Sequence, residues 1–215
     1  MIRAVLFDLD GTLADTAPDL GYALNQLLLR YGKSPLSLPT MRPHASAGSR
    51  GLLWVGFGIT PASPEYDAMR QEYLDCYAEN LCRRTVLFAG VGTLLDALET
   101  QRLRWGIVTN KPERFTTPLV RRLGLFDRAA TVVSGDTCTR AKPYPDSLLK
   151  AASDIALAGE NILYVGDDER DVQAAHAAGI GSIVAGYGYL GTDNHPDRWG
   201  ADGIVQRPEE ILKFL

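Results

Sequence analysis

The sequence predicts an α/β fold in which a doubly wound parallel sheet carries an inserted helical cap. Five short apolar runs rich in Val, Ile and Leu are the first indication, because such runs are typical of parallel strands buried on both faces. Helical hydrophobic patterns separate most of these runs, as expected for right-handed β-α-β crossovers. The third indication is residues 15–84, where helical patterns follow one another without a strand.

The elements can be assigned in chain order, beginning with a strand over Ala4–Phe7. Helices follow it directly: Thr16 is predicted to be the N-cap of the first, and the Ser-Pro pair at 63–64 begins another. Residues 39–63 lie between these helices and are rich in Gly, Pro and Ser, which favours a loop. The remaining strands are predicted at residues 105–109, 131–134, 162–166 and 181–185.

This order of elements predicts two domains. Residues 1–14 and 85–215 are assigned to the α/β core domain, and residues 15–84 to the helical cap domain. In open parallel sheets the chemistry takes place at the carboxyl ends of the strands, so residues that directly follow strands are the first candidates for a site.

Composition excludes several classes of protein. The chain has 215 residues, 46% of them hydrophobic, and a formal net charge of −4, which is ordinary for a globular protein and gives no support to a nucleic-acid surface. The apolar run before Asp8 is too short for a signal peptide. Residues 172–192 carry no charge but contain five glycines, which disfavours a membrane span. We therefore expect a cytoplasmic protein with no membrane or protein partner.

Two acidic segments follow predicted strands. Asp8 and Asp10 stand two residues apart at the end of the first strand, and Gly11 permits a sharp turn behind them. Residues 166–171, Gly-Asp-Asp-Glu-Arg-Asp, follow a later strand. Carboxylates without His or Cys favour Mg²⁺ over zinc. Taken singly, the first segment also fits a solvated turn, and the second fits the acidic beginning of a helix.

Two further segments offer groups that suit a phosphate. Thr109 and Asn110 end a strand and supply a hydroxyl, an amide and backbone N–H groups, although an ordinary helix N-cap has the same residue types. Lys142 precedes a proline in what is otherwise a plain loop, and it is one of five lysines in the chain. The four segments indicate a site mainly because of their order along the chain and because three of them end predicted strands.

In this order the segments resemble the motifs of the haloacid dehalogenase (HAD) superfamily of phosphatases with a helical cap. Asp8 to Thr12 resembles the first motif, Thr109 the second, Lys142 the third and residues 166–171 the fourth. The resemblance implies a Rossmannoid, HAD-like core. Further strings, among them Gly-Tyr-Gly-Tyr at 186–189, resemble the phosphoglycolate phosphatase branch. Two others, residues 104–115 and 194–202, resemble more closely the N-acetylmuramic acid 6-phosphate phosphatases.

The resemblance implies an aspartyl-phosphate mechanism with Mg²⁺. Asp8 would attack phosphorus as the nucleophile, and Asp10 would protonate the leaving alkoxide and later deprotonate water. The Asp8 side chain, the Asp10 backbone carbonyl and Asp167 would hold the metal ion. Asp171 would orient the waters bound to it, and Asp168 stays open as a further ligand.

The resemblance also assigns the substrate contacts. Lys142, Thr109 and the Asn110 amide would hold the phosphoryl group. In the cap, the candidate substrate-binding residues are His44, Ser46, Ser49 and Arg50, in a loop between helices that is rich in Gly and Ser. Arg50 could pair with a substrate carboxylate, although a solvated loop arginine fits the sequence equally well.

The implied activity is that of a phosphoric monoester hydrolase. Its substrate would be a small carboxylated or sugar phosphate, such as 2-phosphoglycolate or N-acetylmuramate 6-phosphate. Two alternatives stay open from the sequence. A phosphomutase of the same superfamily would pass the phosphoryl group to a sugar instead of water. A phospho-aspartate signalling module would retain it on the protein.

Overall fold

The computed structural model describes residues 1–191 and 195–215. The segment 194–202, which was compared above with the N-acetylmuramic acid 6-phosphate phosphatases, begins at Asn194. That residue lies outside the described residues. Six strands form one parallel sheet in the order β5-β4-β1-β6-β7-β8, and β2 and β3 form a separate antiparallel pair. The strands are β1 (Ala4–Phe7), β2 (Ala14–Asp15), β3 (Val86–Leu87), β4 (Arg104–Val108), β5 (Val132–Val133), β6 (Ile162–Gly166), β7 (Gly181–Ala185) and β8 (Gly203–Val205).

Helices flank this sheet, which confirms the predicted α/β class. The α-helices are α1 (Ala17–Arg30), α2 (Leu38–Met41), α3 (Gly48–Phe57), α4 (Tyr66–Glu79), α5 (Val91–Thr100), α6 (Glu113–Arg122), α7 (Asp146–Asp154) and α8 (Glu169–Ala177). Short 3₁₀ turns cover Arg42–Ala47, Gly159–Asn161, Pro196–Arg198 and Pro208–Phe214. Within the described ranges, no helix has both the length and the apolar content that crossing a membrane requires.

Strand β1 lies in the middle of the sheet and is buried on both faces. Val5 and Phe7 point into one apolar cluster, and Ala4 and Leu6 point into another on the opposite face. Successive side chains of a strand alternate between the two faces, so an uninterrupted apolar run is what this position requires.

The register of the central strands brings their carboxyl ends to one edge of the sheet. Phe7 of β1 lies opposite Ile107 of β4 on one side and Val165 of β6 on the other. Consequently the residues that follow these three strands meet at the same edge, although they are distant in sequence.

The inserted segment is helical, but its middle differs from the loop that the composition suggested. Residues 39–63 contain most of α2, a 3₁₀ turn and all of α3. Helix α3 forms in spite of its glycines because Leu52 and Leu53 are buried against the neighbouring helices. The chain enters and leaves this segment through the β2–β3 pair, and its apolar core is continuous with one face of the sheet. The division into core and cap domains at residues 15 and 84 stays a prediction.

The beginning of α1 is held differently from the prediction. Thr16 occupies the N-cap position, but its hydroxyl donates to Asp10 Oδ1 at 2.5 Å. The Tyr189 hydroxyl, from the loop after β7, accepts hydrogen bonds from the backbone N–H groups of Thr16 and Ala17, at 2.7 and 2.9 Å. The helix is therefore capped by a side chain distant in sequence, which no local pattern could reveal.

Candidate active site

The nucleophile candidate and the proposed acid follow β1 in a tight turn. Asp8 comes directly after Phe7, and its backbone N–H donates to Val165 of β6 at 2.8 Å. Gly11 has a φ of 87°, and a Cβ at this position would lie 2.1 Å from Asp167 Oδ2. Glycine is therefore required both by the backbone conformation and by the close approach of the two loops.

The second acidic segment lies beside it, between β6 and α8. Asp168 caps α8 by accepting from the backbone N–H of Arg170, and the Asp171 carboxylate accepts from the backbone N–H of Asp168 at 3.1 Å. This capping box fixes both carboxylates at the start of the helix. The Asp168 carboxylate faces the Arg170 guanidinium at 2.7 Å, so it is engaged in an ion pair on the protein itself.

Asp8, Asp167 and Asp171 form one buried cluster, in which one carboxylate oxygen of each lies within 4.8 Å of the others. Burial raises the pKa of Asp8 from 3.8 to about 6; Lys142 opposes this rise, and Asp171 and Asp10 add to it. Burial, followed by the charges of Asp8 and Asp171, raises the pKa of Asp167 well above its ordinary range. The cluster therefore holds more negative charge than its own surroundings neutralise.

Lys142 is the cation of this cluster. Its ammonium group lies 2.6 Å from Asp171 Oδ1 and 3.0 Å from Asp8 Oδ1, and it also donates to the Tyr164 hydroxyl at 2.7 Å. Burial alone would lower the pKa of Lys142, but Asp171 and Asp8 raise it, so the side chain is charged. The contact with Asp171 is the shorter of the two, and it was not among the predictions from the sequence.

The residues present fit a hard divalent cation. Their donors are all oxygens, and of the three buried carboxylates Asp8 and Asp171 share the ammonium group of Lys142, whereas Asp167 has no ion-pair partner among the described residues. Asp8 Oδ1 lies beside Lys142 but makes no well-aligned hydrogen bond within the described part of the chain. A Cβ on Gly188 would come within 2.4 Å of both Asp167 Cβ and the Gly11 carbonyl oxygen, so glycines permit the loops to close around Asp167.

Asp10 is held by two partners from elsewhere in the chain. The Thr16 hydroxyl donates to its Oδ1, and Lys111 Nζ lies 3.0 Å from Oδ1 and 3.2 Å from Oδ2. Lys111 is buried and also lies over the Tyr77 ring, 4.7 Å from its centroid. Lys111 directly follows the predicted site residues Thr109 and Asn110, but no role was predicted for it from the sequence.

Thr109 and Asn110 lie at the same edge, after β4. The Thr109 hydroxyl accepts from the backbone N–H of Lys111 at 3.2 Å. Both ends of the Asn110 side-chain amide are bonded to the backbone of Lys142, each at 2.9 Å. That side-chain amide therefore fixes the Lys142 loop.

These residues line one cavity of about 300 Å³ between the sheet edge and the inserted helices. This volume is at the lower end of the range for small-molecule pockets. Of the predicted site residues, it is lined by Asp8, Asp10, Ser49, Thr109, Asn110, Lys142 and Asp171. Residues that the sequence analysis did not single out for substrate are Arg70, Tyr73, Leu74, Tyr77, Lys111, Phe115 and Arg170.

The predicted cap residues are not all brought to this cavity. Arg50 is exposed and instead lines a separate hollow with Trp54 and Ile59. The reason is that Arg50 belongs to α3 and not to a loop, so the helical turn directs it away from its neighbour Ser49. Ser46 does line the cavity, and its hydroxyl donates to Asp167 at 3.0 Å.

Comparison with known proteins agrees with this geometry. A family model described as haloacid dehalogenase-like hydrolase matches residues 5–185. The chain is 39% identical over 214 residues to an N-acetylmuramic acid 6-phosphate phosphatase of Pseudomonas aeruginosa, covering 100% of this chain and 95% of that protein. It is 43% identical over 209 residues to a phosphoglycolate phosphatase of Xanthomonas campestris pv. campestris, covering 97% and 94%.

A solved structure supports the same assignment. The crystal structure of a predicted phosphoglycolate phosphatase from Haemophilus somnus has a TM-score of 0.86 and 26% identity, and the match covers 99% of this chain and 97% of that one. The superfamily and the branch expected from the motifs are thereby confirmed. The chain belongs to the haloacid dehalogenase-like hydrolase family and is a phosphomonoester hydrolase.

Proposed function

We propose that the protein hydrolyses a small phosphate monoester in a Mg²⁺-dependent reaction through an aspartyl-phosphate on Asp8. The candidate substrates are 2-phosphoglycolate and N-acetylmuramate 6-phosphate, because similar proteins are named for each of these activities. The observation that supports the proposal most directly is the buried cluster of Asp8, Asp167 and Asp171 with Lys142 at the carboxyl ends of β1 and β6.

Asp8, Asp167 and the Asp10 backbone carbonyl would hold the metal ion, and Asp171 would orient its waters. When bound, Mg²⁺ supplies positive charge that offsets the repulsion between these carboxylates and an anionic phosphate. Lys142 also supplies positive charge that offsets this repulsion. The attraction between two unit charges at about 4 Å is worth roughly 4 kcal/mol at an effective dielectric near 20. The excess negative charge of the cluster explains why a cation is needed before the phosphate can approach.

The reaction then proceeds in two displacements. A carboxylate oxygen of Asp8 forms a bond to phosphorus, the bond between phosphorus and the leaving oxygen breaks, and Asp10 donates its proton to that oxygen. In the second step Asp10 takes a proton from water, whose oxygen attacks phosphorus and displaces the Asp8 carboxylate, and inorganic phosphate leaves. Asp10 lines the cavity next to Asp8, and Thr16 and Lys111 fix the position of its carboxyl group for both proton transfers.

The phosphoryl oxygens would be bound by Thr109, the backbone N–H of Asn110 and Lys142. Phosphoryl transfer depends mainly on positioning and on stabilising charge, so a rigid arrangement of donors is what the reaction needs. The bonds between the Asn110 side chain and the Lys142 backbone supply that rigidity.

The test is a panel of phosphate monoesters that includes both candidate substrates and common hexose phosphates. We expect phosphate release that requires Mg²⁺, stops with EDTA and returns on adding the ion. A long-lived phosphoprotein without phosphate release would instead indicate a signalling module. An isomerised sugar phosphate without phosphate release would indicate a phosphomutase. Either result would overturn the proposal.

A further inference from the structure

One face of α4 forms a wall of the cavity. Arg70, Tyr73, Leu74 and Tyr77 all line it, and their spacing places them on the same side of the helix. The last three are buried, whereas Arg70 is exposed. The wall is therefore apolar along most of its length and ends in a guanidinium group that solvent can reach.

Arg70 differs from the other basic side chains of the cavity in having no partner. Within the described residues, the other three are each engaged: Lys142 with Asp8 and Asp171, Lys111 with Asp10, and Arg170 with Asp168 and the Ser46 carbonyl oxygen. For Arg70 no ion pair or side-chain hydrogen bond occurs in residues 1–191 and 195–215. A guanidinium has five donors in a planar fork, and here none of them is used by these residues.

We propose that Arg70 binds a carboxylate on the leaving group of the substrate and so selects carboxylated phosphate esters. The proposal rests on the proposed function, since it takes the phosphoryl group to lie at Asp8 and Lys142. A planar carboxylate matches the guanidinium fork with two parallel hydrogen bonds. The carbon skeleton between the two anionic ends would pack on the apolar wall formed by Tyr73, Leu74 and Tyr77.

Charge explains why this contact selects its ligand. The inner end of the cavity contains Asp8, Asp10 and Asp171, which repel a second anionic group on the substrate. Arg70 lies on the side of the cavity that the inserted helices form, and it has no ion-pair partner among the described residues. A carboxylate is therefore more favourable beside Arg70 than at the inner end. The two candidate substrates differ in the place of their carboxylate. It is attached directly to the alcohol carbon in 2-phosphoglycolate and is carried on a lactyl ether in N-acetylmuramate 6-phosphate.

Arg50 is the matched control that the chain offers. It is also an exposed arginine on a helix of the inserted segment, but it lines the separate hollow with Trp54. Arg50→Ala removes the same side chain and the same charge without touching the cavity.

The experiment compares phosphate esters that have a carboxylate with esters that lack one. The first pair is 2-phosphoglycolate and 2-hydroxyethyl phosphate, and the second is N-acetylmuramate 6-phosphate and N-acetylglucosamine 6-phosphate. In the second pair the ester without a carboxylate lacks the whole lactyl group. For Arg70→Ala we expect kcat/KM to fall by about tenfold or more on at least one carboxylated ester, mainly through KM, because a charge-assisted contact is lost. Turnover of the partner ester without a carboxylate should change by less than about twofold. The pair that responds identifies which kind of carboxylate is bound.

Two further variants make the result decisive. Arg50→Ala should leave both members of each pair unchanged, and Arg70→Lys should recover part of the loss because it retains the charge. The proposal is overturned if Arg70→Ala slows the esters with and without a carboxylate alike, or if it spares both carboxylated esters. Failure of the proposed function is a different result, because the wild-type protein would then release no phosphate from any ester.

Discussion

The hydroxyl of Ser46 donates a hydrogen bond to Oδ2 of Asp167 across 3.0 Å, although the two residues are 121 positions apart. Ser46 belongs to the 3₁₀ turn before α3, and Asp167 directly follows β6. Arg170 reinforces the contact by donating to the Ser46 carbonyl oxygen at 2.9 Å. A residue that the sequence suggested for reading substrate therefore joins the inserted segment to the acidic cluster.

The first prediction concerns this contact. Ser46→Ala removes a hydrogen bond to a buried carboxylate, so we expect the free energy of unfolding to fall by about 1–3 kcal/mol. Ser49→Ala is the matched control, since Ser49 lines the same cavity but makes no side-chain hydrogen bond within the described residues. Urea unfolding of both variants measures the difference. Equal losses of stability would show that the Ser46–Asp167 bond contributes nothing.

The second prediction is that Asp8→Asn abolishes turnover. The amide retains the shape of the side chain but lacks the anionic oxygen that attacks phosphorus. Release of inorganic phosphate from the preferred ester measures the effect. Asp127→Asn, at an exposed position outside the cavity, should retain wild-type activity. Phosphate release by the Asp8 variant at the wild-type rate would contradict the assignment of the nucleophile.

The third prediction concerns Lys142. Lys142→Ala leaves Asp8 and Asp171 without their ion-pair partner, so the protein should lose about 3–5 kcal/mol of stability. Turnover should fall by orders of magnitude, because the charge that attracts the phosphoryl group is also lost. Chemical denaturation and kcat measure the two effects. Lys150→Ala, which removes an exposed lysine paired with Asp154, should cost less than about 1 kcal/mol and no activity.

The fourth prediction is a dependence of stability on pH without added metal. Folding raises the pKa of Asp8 from 3.8 to about 6 and raises that of Asp167 further above its ordinary range. The folded chain thus holds protons that the unfolded chain has released. For Asp8, this contribution to stability is present below about pH 4 and is lost as the pH rises through about 6.

Added Mg²⁺ should therefore stabilise the protein more at pH 8 than at pH 5, where protons compete with the ion for the carboxylates. Thermal unfolding with and without the ion measures this difference. Asp167→Asn should flatten the pH dependence and weaken the effect of Mg²⁺. A Mg²⁺-induced rise in Tm that is equal at both pH values would contradict this picture of the cluster.

Much of the sheet could be predicted from the sequence, because a buried parallel strand needs a continuous apolar run. The predicted strands at 4–7 and 162–166 agree with β1 and β6 to the residue. Strand β8 was missed, since it has three residues and begins with Gly203. It pairs with β7 as the last strand of the sheet, a position that a short strand can occupy without its own strong pattern.

The residues of the site can likewise be separated into those that the sequence predicted and those that it did not. The residues at strand ends were found because sequence position and spatial position coincide there: a group that follows a parallel strand lies at the carboxyl edge. Lys111 and Tyr189 were missed as partners of Asp10 and of α1, because each acts through a contact with a distant segment.

The sequence by itself indicated the fold class, because strands and turns are local features of the chain. The resemblance of its motifs to those of the haloacid dehalogenase superfamily implied the class of reaction. Only the tertiary structure decided which arginine of the inserted helices, Arg50 or Arg70, lines the cavity. That choice depends on how the helices rotate and pack against the core, and packing is set by the whole set of apolar contacts, which no short segment contains.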